Sequence, residues 1–225
     1  MVNYFILEVD DEKADDCAMA VGFTGAFLLH LDFFEIADHF NQGEIRHFDL
    51  PIISFVQGNI SGRLTSVMLA VTFLGSVKGA AVVTLVLSLV LWIKKYRTLG
   101  LYLAVSVALG AGVFNTILKY IFKRQRPDIM RVVQETGYSF PSGHSMGSMI
   151  LYGCLVLILF RITKRRWVKF AGTLFALLLV LAIGISRIYL GVHYPSDVAG
   201  GYAAGLVWVI LSALALNLFE TKLKL

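Results

Sequence analysis

Only two cysteines stand among 225 residues, Cys17 and Cys154, and both fall inside apolar runs. That spacing fits neither a disulfide framework nor a thiolate metal site, so both are read as packing or lipid-facing residues. Charge is scarce too: Asp, Glu, Lys and Arg make up 16% of the chain against 57% hydrophobic residues. Ordinary soluble domains hold roughly 45–50% apolar residues, so a water-soluble core is excluded in favour of a chain solvated by lipid. Of four prolines, Pro127, Pro141 and Pro195 lie in two polar segments between apolar runs. Internal repeats, low-complexity stretches and an appended soluble domain are all missing, which leaves one membrane bundle.

The net charge of +5 does not indicate nucleic-acid binding, because the basic residues cluster between apolar runs instead of lining one surface. The chain begins with Glu8, Asp10, Asp11, Glu12, Asp15 and Asp16. A secretory signal has a basic start and a small-residue cleavage site, and neither is present, so the first apolar segment is expected to be retained. The expected organisation is an acidic tail over 1–16, one membrane domain over 17–219 and a cytoplasmic tail over 220–225.

The apolar runs predict an all-α, multi-pass bundle of about six transmembrane helices. Thr98–Leu118 and Val198–Phe219 carry no charge inside membrane length, while Ser145–Phe160 and Phe170–Ser186 are shorter but extendable. Gly79–Ile93 extends backward to about Leu64, with an interruption near the glycines, and Cys17–Leu31 supplies the shortest span. Between these last two, Glu44–Ile60 places Ile45, Phe48, Ile52, Ile53, Phe55 and Val56 at rough helical spacing, either as an amphipathic helix on the membrane or as loop packing.

Lys94, Lys95 and Arg97, the stretch Arg161–Lys169, and Lys222 and Lys224 mark cytoplasmic ends by the positive-inside rule. Segments 32–63, 119–143 and 187–197 then face outward. One of them breaks the rule, carrying Lys119, Lys123, Arg124, Arg126 and Arg131. An anionic ligand, above all a phosphate held by Lys and Arg donors, accounts for such an excess.

Three short sequences gather the chemistry: Lys119 with Arg126-Pro127, then Pro141-Ser142-Gly143-His144, then Ser186-Arg187 with His193 and Asp197. Hydrolysis of a phosphomonoester needs charge neutralised on three oxygens, with a nucleophile and a leaving-group acid in line. Lys119, Arg126 and Arg187 supply the cations. Ser142 and Gly143 follow Pro141 where a helix begins, so a hydroxyl and free backbone amides can meet the same phosphate. Asp197, four residues beyond His193, can hold one imidazole tautomer, which favours His193 as nucleophile and leaves His144 as general acid and base.

These residues resemble the three-part motif of the type 2 phosphatidic acid phosphatase superfamily, Lys-x6-Arg-Pro, Pro-Ser-Gly-His and Ser-Arg-x5-His-x3-Asp, without a substitution and in the family's order. The resemblance runs from about Leu64 to Phe219 and is loose over the first 60 residues. It implies the same roles for His193, His144 and Asp197, a phosphohistidine intermediate and no metal or other cofactor. Expected substrates are lipid phosphates or pyrophosphates such as undecaprenyl pyrophosphate, phosphatidylglycerol phosphate and phosphatidate. Beyond the substrate and membrane lipids, no nucleic acid and no obligate protein partner is expected. Phosphatases of soluble phosphates and vanadate-dependent haloperoxidases share this anion site, but the latter are soluble. A transporter binding phospholipid without turnover would not need both histidines and Asp197.

Of the remaining polar residues, Lys123, Arg124 and Arg131 are read as boundary anchors whose stems lie along apolar surface. His30, His39 and His47 are read as interface residues. Tyr138 and Phe140 either line a lipid entrance or mark the membrane boundary, and Asp128 either orients Arg126 or is simply solvated.

Overall fold

The apolar run after Pro141 folds as the central helix of a bundle, buried along Met146, Ile150, Leu151, Cys154 and Ile158. Its 20 residues reach about 30 Å at 1.5 Å per residue, the thickness of a hydrocarbon core. The structure is a computed structural model that describes residues 45–128 and 130–223. In chain order the helices are α1 (Ile45–Gln57), α2 (Gly62–Phe73), α3 (Val77–Ile93), α4 (Arg97–Phe122), α5 (Gly143–Ile162), α6 (Arg166–Tyr189) and α7 (Pro195–Leu223). There is no strand among the described residues. Cys17–Leu31, His30 and His39 lie outside them.

Among the described residues four helices, α4 to α7, are long and apolar enough to cross a membrane, and α2 with α3 adds a fifth if that pair is one broken span bent by 48°. The break falls at Leu74–Ser76, where the Ser76 hydroxyl caps α3 by accepting from Gly79 N at 3.0 Å. The sequence reading expected an interruption near these glycines. At Gly75 a Cβ would come within 2.5 Å of Ile183 on α6, so the bend also lets α6 approach.

Lipid tails are as apolar as leucine, so these helices associate through close packing more than through hydrophobic exclusion. Small residues provide it. On α5, Gly153 lies under Val209 of α7; on α7, Gly205 lies under Met149 of α5, with a Cβ there only 2.8 Å from the methionine. Phe175, Leu177, Leu178 and Leu181 of α6 and Val82, Leu85 and Leu89 of α3 are exposed apolar residues, as a lipid-facing surface requires. Buried Cys154 packs in the α5 core.

Helix α4 is not regular: Ala108–Phe114 is a π-helical stretch. Trp208 of α7 explains the widening, because its indole presses against Gly110 and donates from Nε1 to Ser106 O at 3.0 Å. The last turns of α4 then present Asn115 and Lys119 to the start of α5, where a Cβ on Gly143 would lie 3.1 Å from Asn115 Oδ1.

The stretch read as either a surface helix or loop packing is helical, as α1, with Phe48 and Phe55 outward. Its buried stripe is Asp49, Ile53 and Gln57. Ile53 packs on Ile188 and Val198, and Gln57 Nε2 donates to Ile188 O and Tyr189 O at 3.3 and 3.2 Å. One acidic and one amide side chain thus anchor α1 to the ends of α6 and α7.

Candidate active site

The C-terminal ends of α4 and α6 and the N-terminal ends of α5 and α7 meet at one end of the bundle, with segments 123–142 and 190–194 covering them. All eight residues singled out from the three motifs lie there. The basic stretches around Lys94–Arg97 and Arg161–Lys169 close the opposite end of the same helices.

His193 is buried to 2% exposure. Its Nδ1 lies 3.5 Å from Asp197 Oδ2 and 3.4 Å from Ser139 Oγ, while Nε2 lies 3.2 Å from the Arg126 guanidinium. A guanidinium only donates, so Nε2 must accept and Nδ1 carries the proton. Asp197 is fully buried. Its Oδ2 accepts from Tyr194 N at 2.8 Å and from the Ser139 hydroxyl, and its Oδ1 accepts from Arg124 at 2.6 Å. Burial pushes the His193 ring down to about 4, against the upward pull of Asp197, which makes the imidazole neutral near pH 7 with an available lone pair on Nε2.

Ser142 caps α5: its hydroxyl accepts from Ser145 N at 3.4 Å and its amide donates to Asp197 O at 3.0 Å. The helix start expected after Pro141 is where the sequence placed it. Gly143 opens α5 against Asn115 and Lys119, and a larger residue would separate α5 from α4. Lys119 Nζ donates to Tyr138 O at 2.7 Å. Half-buried His144 shares its electrostatic surroundings with Arg187, Glu135, His193 and Arg126.

Arg126 donates to the carbonyls of Gly137, Thr136 and Val192 at 3.0–3.1 Å. Arg187, 2% exposed, donates to Thr72 Oγ1 at 2.8 Å, and its buried Nε has no hydrogen-bond partner among the described residues. Glu135, which motif reasoning missed, bridges the two arginines: one oxygen pairs with Arg187 and the other lies 3.1 Å from Arg126. Burial works to raise this carboxyl, but Arg187, His144 and Arg126 together outweigh it and hold it below the usual carboxylate range.

Two sequence readings are corrected, and one left open between two alternatives is decided. Arg124 is no boundary anchor: it points inward to Asp49, Ser196 and Asp197. Phe140 lines no entrance and marks no boundary, being fully buried edge-on to Phe122 and beneath Gly200. Asp128 is solvated and faces Arg131 at 3.6 Å, not Arg126. Among the described residues no three His, Cys, Asp or Glu side chains gather as a metal-ligand set.

Fold and site together define a helical membrane protein that gathers arginines, a lysine and two histidines at one end of its bundle. The chain belongs to the PAP2 superfamily, whose family model matches residues 99–219. It is 34% identical over 116 residues to phosphatidylglycerophosphatase B of Bacillus subtilis, covering 50% of this chain and 54% of that one. It is 31% identical over 126 residues to an undecaprenyl-diphosphatase of Sulfolobus acidocaldarius, covering 53% and 56%. The chain therefore spans about half the length of the curated relatives it matches. Its structure superposes on the crystal structure of a transmembrane PAP2 type phosphatidylglycerolphosphate phosphatase from Bacillus subtilis with a TM-score of 0.78, at 27% identity over 88% of this chain and 96% of that one.

Proposed function

We propose that this membrane protein hydrolyses lipid phosphates or pyrophosphates through a phosphohistidine on His193. The observation that carries the reading is the two-sided setting of that ring, with Nδ1 toward Asp197 and Nε2 toward Arg126. Nε2 attacks phosphorus as the bond to the lipid oxygen breaks, and His144 gives that oxygen its proton. Water then attacks phosphorus, His144 takes the water's proton, and the P–N bond breaks with its electron pair returning to Nε2. Lys119, Arg126, Arg187 and the amide end of α5 balance charge on the transferring group, and Asp197 holds the His193 tautomer. The named relatives favour isoprenyl pyrophosphate and phosphatidylglycerol phosphate as substrates.

The test is phosphate release by the purified protein with chelator present, over isoprenyl pyrophosphates, diacylglycerol phosphates and soluble phosphomonoesters. Release from the lipids supports the proposal. Release only from soluble esters moves the substrate class, and inactivity on all of them defeats the enzymatic reading.

Glu135 occupies the groove between Arg126 and Arg187 as an anion, so an incoming phosphate that engages both must displace it. Glu135→Gln is expected to tighten inhibition by orthovanadate roughly tenfold, equivalent to about 1.4 kcal/mol, since the carboxylate that competes for both guanidinium groups is gone. Weaker inhibition would assign Glu135 to binding instead of competition.

The multi-pass arrangement is proposed to place this site on the extracytoplasmic side, opposite the basic ends at Lys94–Arg97 and Arg161–Lys169. Exposed Thr136 provides the test. Thr136→Cys should react with an impermeant thiol reagent added to intact cells, and protection from it would reverse the orientation.

A further inference from the structure

The first turn of α7 carries Asp197, yet its backbone is completed from another helix. Pro195 takes the first helical position, where no N–H is needed, and the Asp197 carboxylate reaches back to Tyr194 N. Ser196 N is the next orphan donor of that turn. It donates to Asp49 Oδ1 of α1 at 2.8 Å, and the Ser196 hydroxyl donates to Asp49 Oδ2 at 2.8 Å. Asp49, 1% exposed, also accepts from Arg124 at 3.0 Å. The other arm of that guanidinium donates to Asp197 Oδ1 at 2.6 Å, and its face lies 4.1 Å from the Tyr194 ring. Asp49, Arg124 and Asp197 therefore form one buried chain of alternating charge that ends at His193 Nδ1.

We infer that Asp49 and Arg124 are positioning residues for the nucleophile, so that seating of the surface helix α1 on the bundle sets the orientation and tautomer of His193. This rests on the reading of His193 as nucleophile. Arg124 occupies Asp197 Oδ1 and leaves Oδ2 to face the imidazole. Asp49 in turn holds Arg124 in that pose and fixes the α7 turn on which Asp197 stands. Both act on the reaction through Asp197, which faces His193 Nδ1, so their loss should act on turnover more than on substrate binding.

The experiment uses the full chain in detergent with Asp49→Asn, Arg124→Gln and the double variant. Asp49→Asn preserves side-chain shape and an acceptor for Ser196 N while removing the charge. Expected are a fall in kcat of at least about tenfold with KM within about twofold, and a double variant no slower than Arg124→Gln alone, as for residues acting as one unit. The readout that a purely structural role would not move is the tautomer of His193 in the substrate-free protein, followed by NMR of ring-¹⁵N histidine. Wild type should hold the proton on Nδ1, and both single variants, in which Asp197 is no longer fixed toward Nδ1 and the ring can turn away from Arg126, should populate the Nε2–H form. Unchanged tautomers in folded Asp49→Asn and Arg124→Gln overturn the inference whatever their activity. If Arg124→Gln does not fold, Arg124→Lys replaces it and should retain part of the turnover. Because the tautomer is read without turnover, wild type lacking a phosphoenzyme but holding Nδ1–H would sink the covalent mechanism and leave the positioning chain standing.

Discussion

His193→Gln should lose phosphate release by roughly 10⁴-fold or more, the scale at which removal of a covalent nucleophile leaves only binding and charge stabilisation. Glutamine keeps a polar group at the position without a nitrogen lone pair able to form a P–N bond. Acid-quenched wild type turning over ³²P-labelled lipid substrate should carry an acid-labile, base-stable label, and the variant none. The protein should remain folded and retain vanadate binding through Arg126, Arg187 and Lys119. Wild-type stability draws nothing from a protonated ring at this position, because burial holds His193 near 4, below its usual 6.5. The folded state keeps the neutral form, so this group contributes nothing above about pH 6.5. It costs stability as pH falls from there toward 4, where the unfolded chain binds the proton first. A variant that still releases phosphate within tenfold of wild type would remove His193 from the reaction.

Length and charge made the apolar architecture legible. Thr98–Leu118, Ser145–Phe160, Phe170–Ser186 and Val198–Phe219 each sit inside a longer helix whose ends run into the polar flanks. The π stretch of α4 was not legible, because it depends on Trp208 of α7 seating against Gly110, a contact 98 residues away along the chain. Motif residues gathered as expected because their spacings set them at helix ends that must share one end of a bundle. Arg124 misled the reading because a basic residue at a helix end either snorkels outward or turns inward. Lys123 decides it here, ending α4 in the left-handed region at φ 46°. Asp49 was hidden in a segment judged by its apolar spacing, whereas its buried stripe runs through an acid and an amide. Glu135 follows no motif spacing and is found only by asking what lies between two arginines that need anions.

His144→Gln should separate the two half-reactions that share this residue. A lipid alkoxide is a poor leaving group and needs the His144 proton, so release from diacylglycerol phosphate should fall by about 10²–10⁴-fold, the range of general acid catalysis. An aryl phosphate such as p-nitrophenyl phosphate leaves without help, and His193 should still be phosphorylated by it at near wild-type rate. The second step is different, because water attacking the phosphohistidine needs a base whatever the first leaving group was. His144→Gln incubated with the aryl ester should therefore show a burst of one nitrophenol per active site, followed by slow turnover and an accumulated phosphoenzyme. His144 stands in the first turn of α5, under the influence of Arg187, Glu135 and His193, where one imidazole can serve both proton transfers in sequence. Equal loss on the alkyl and aryl esters, without a burst, would instead make His144 a phosphate-binding group, and the leaving-group proton would have to come from Lys119, whose side-chain stem lies against the same helix end.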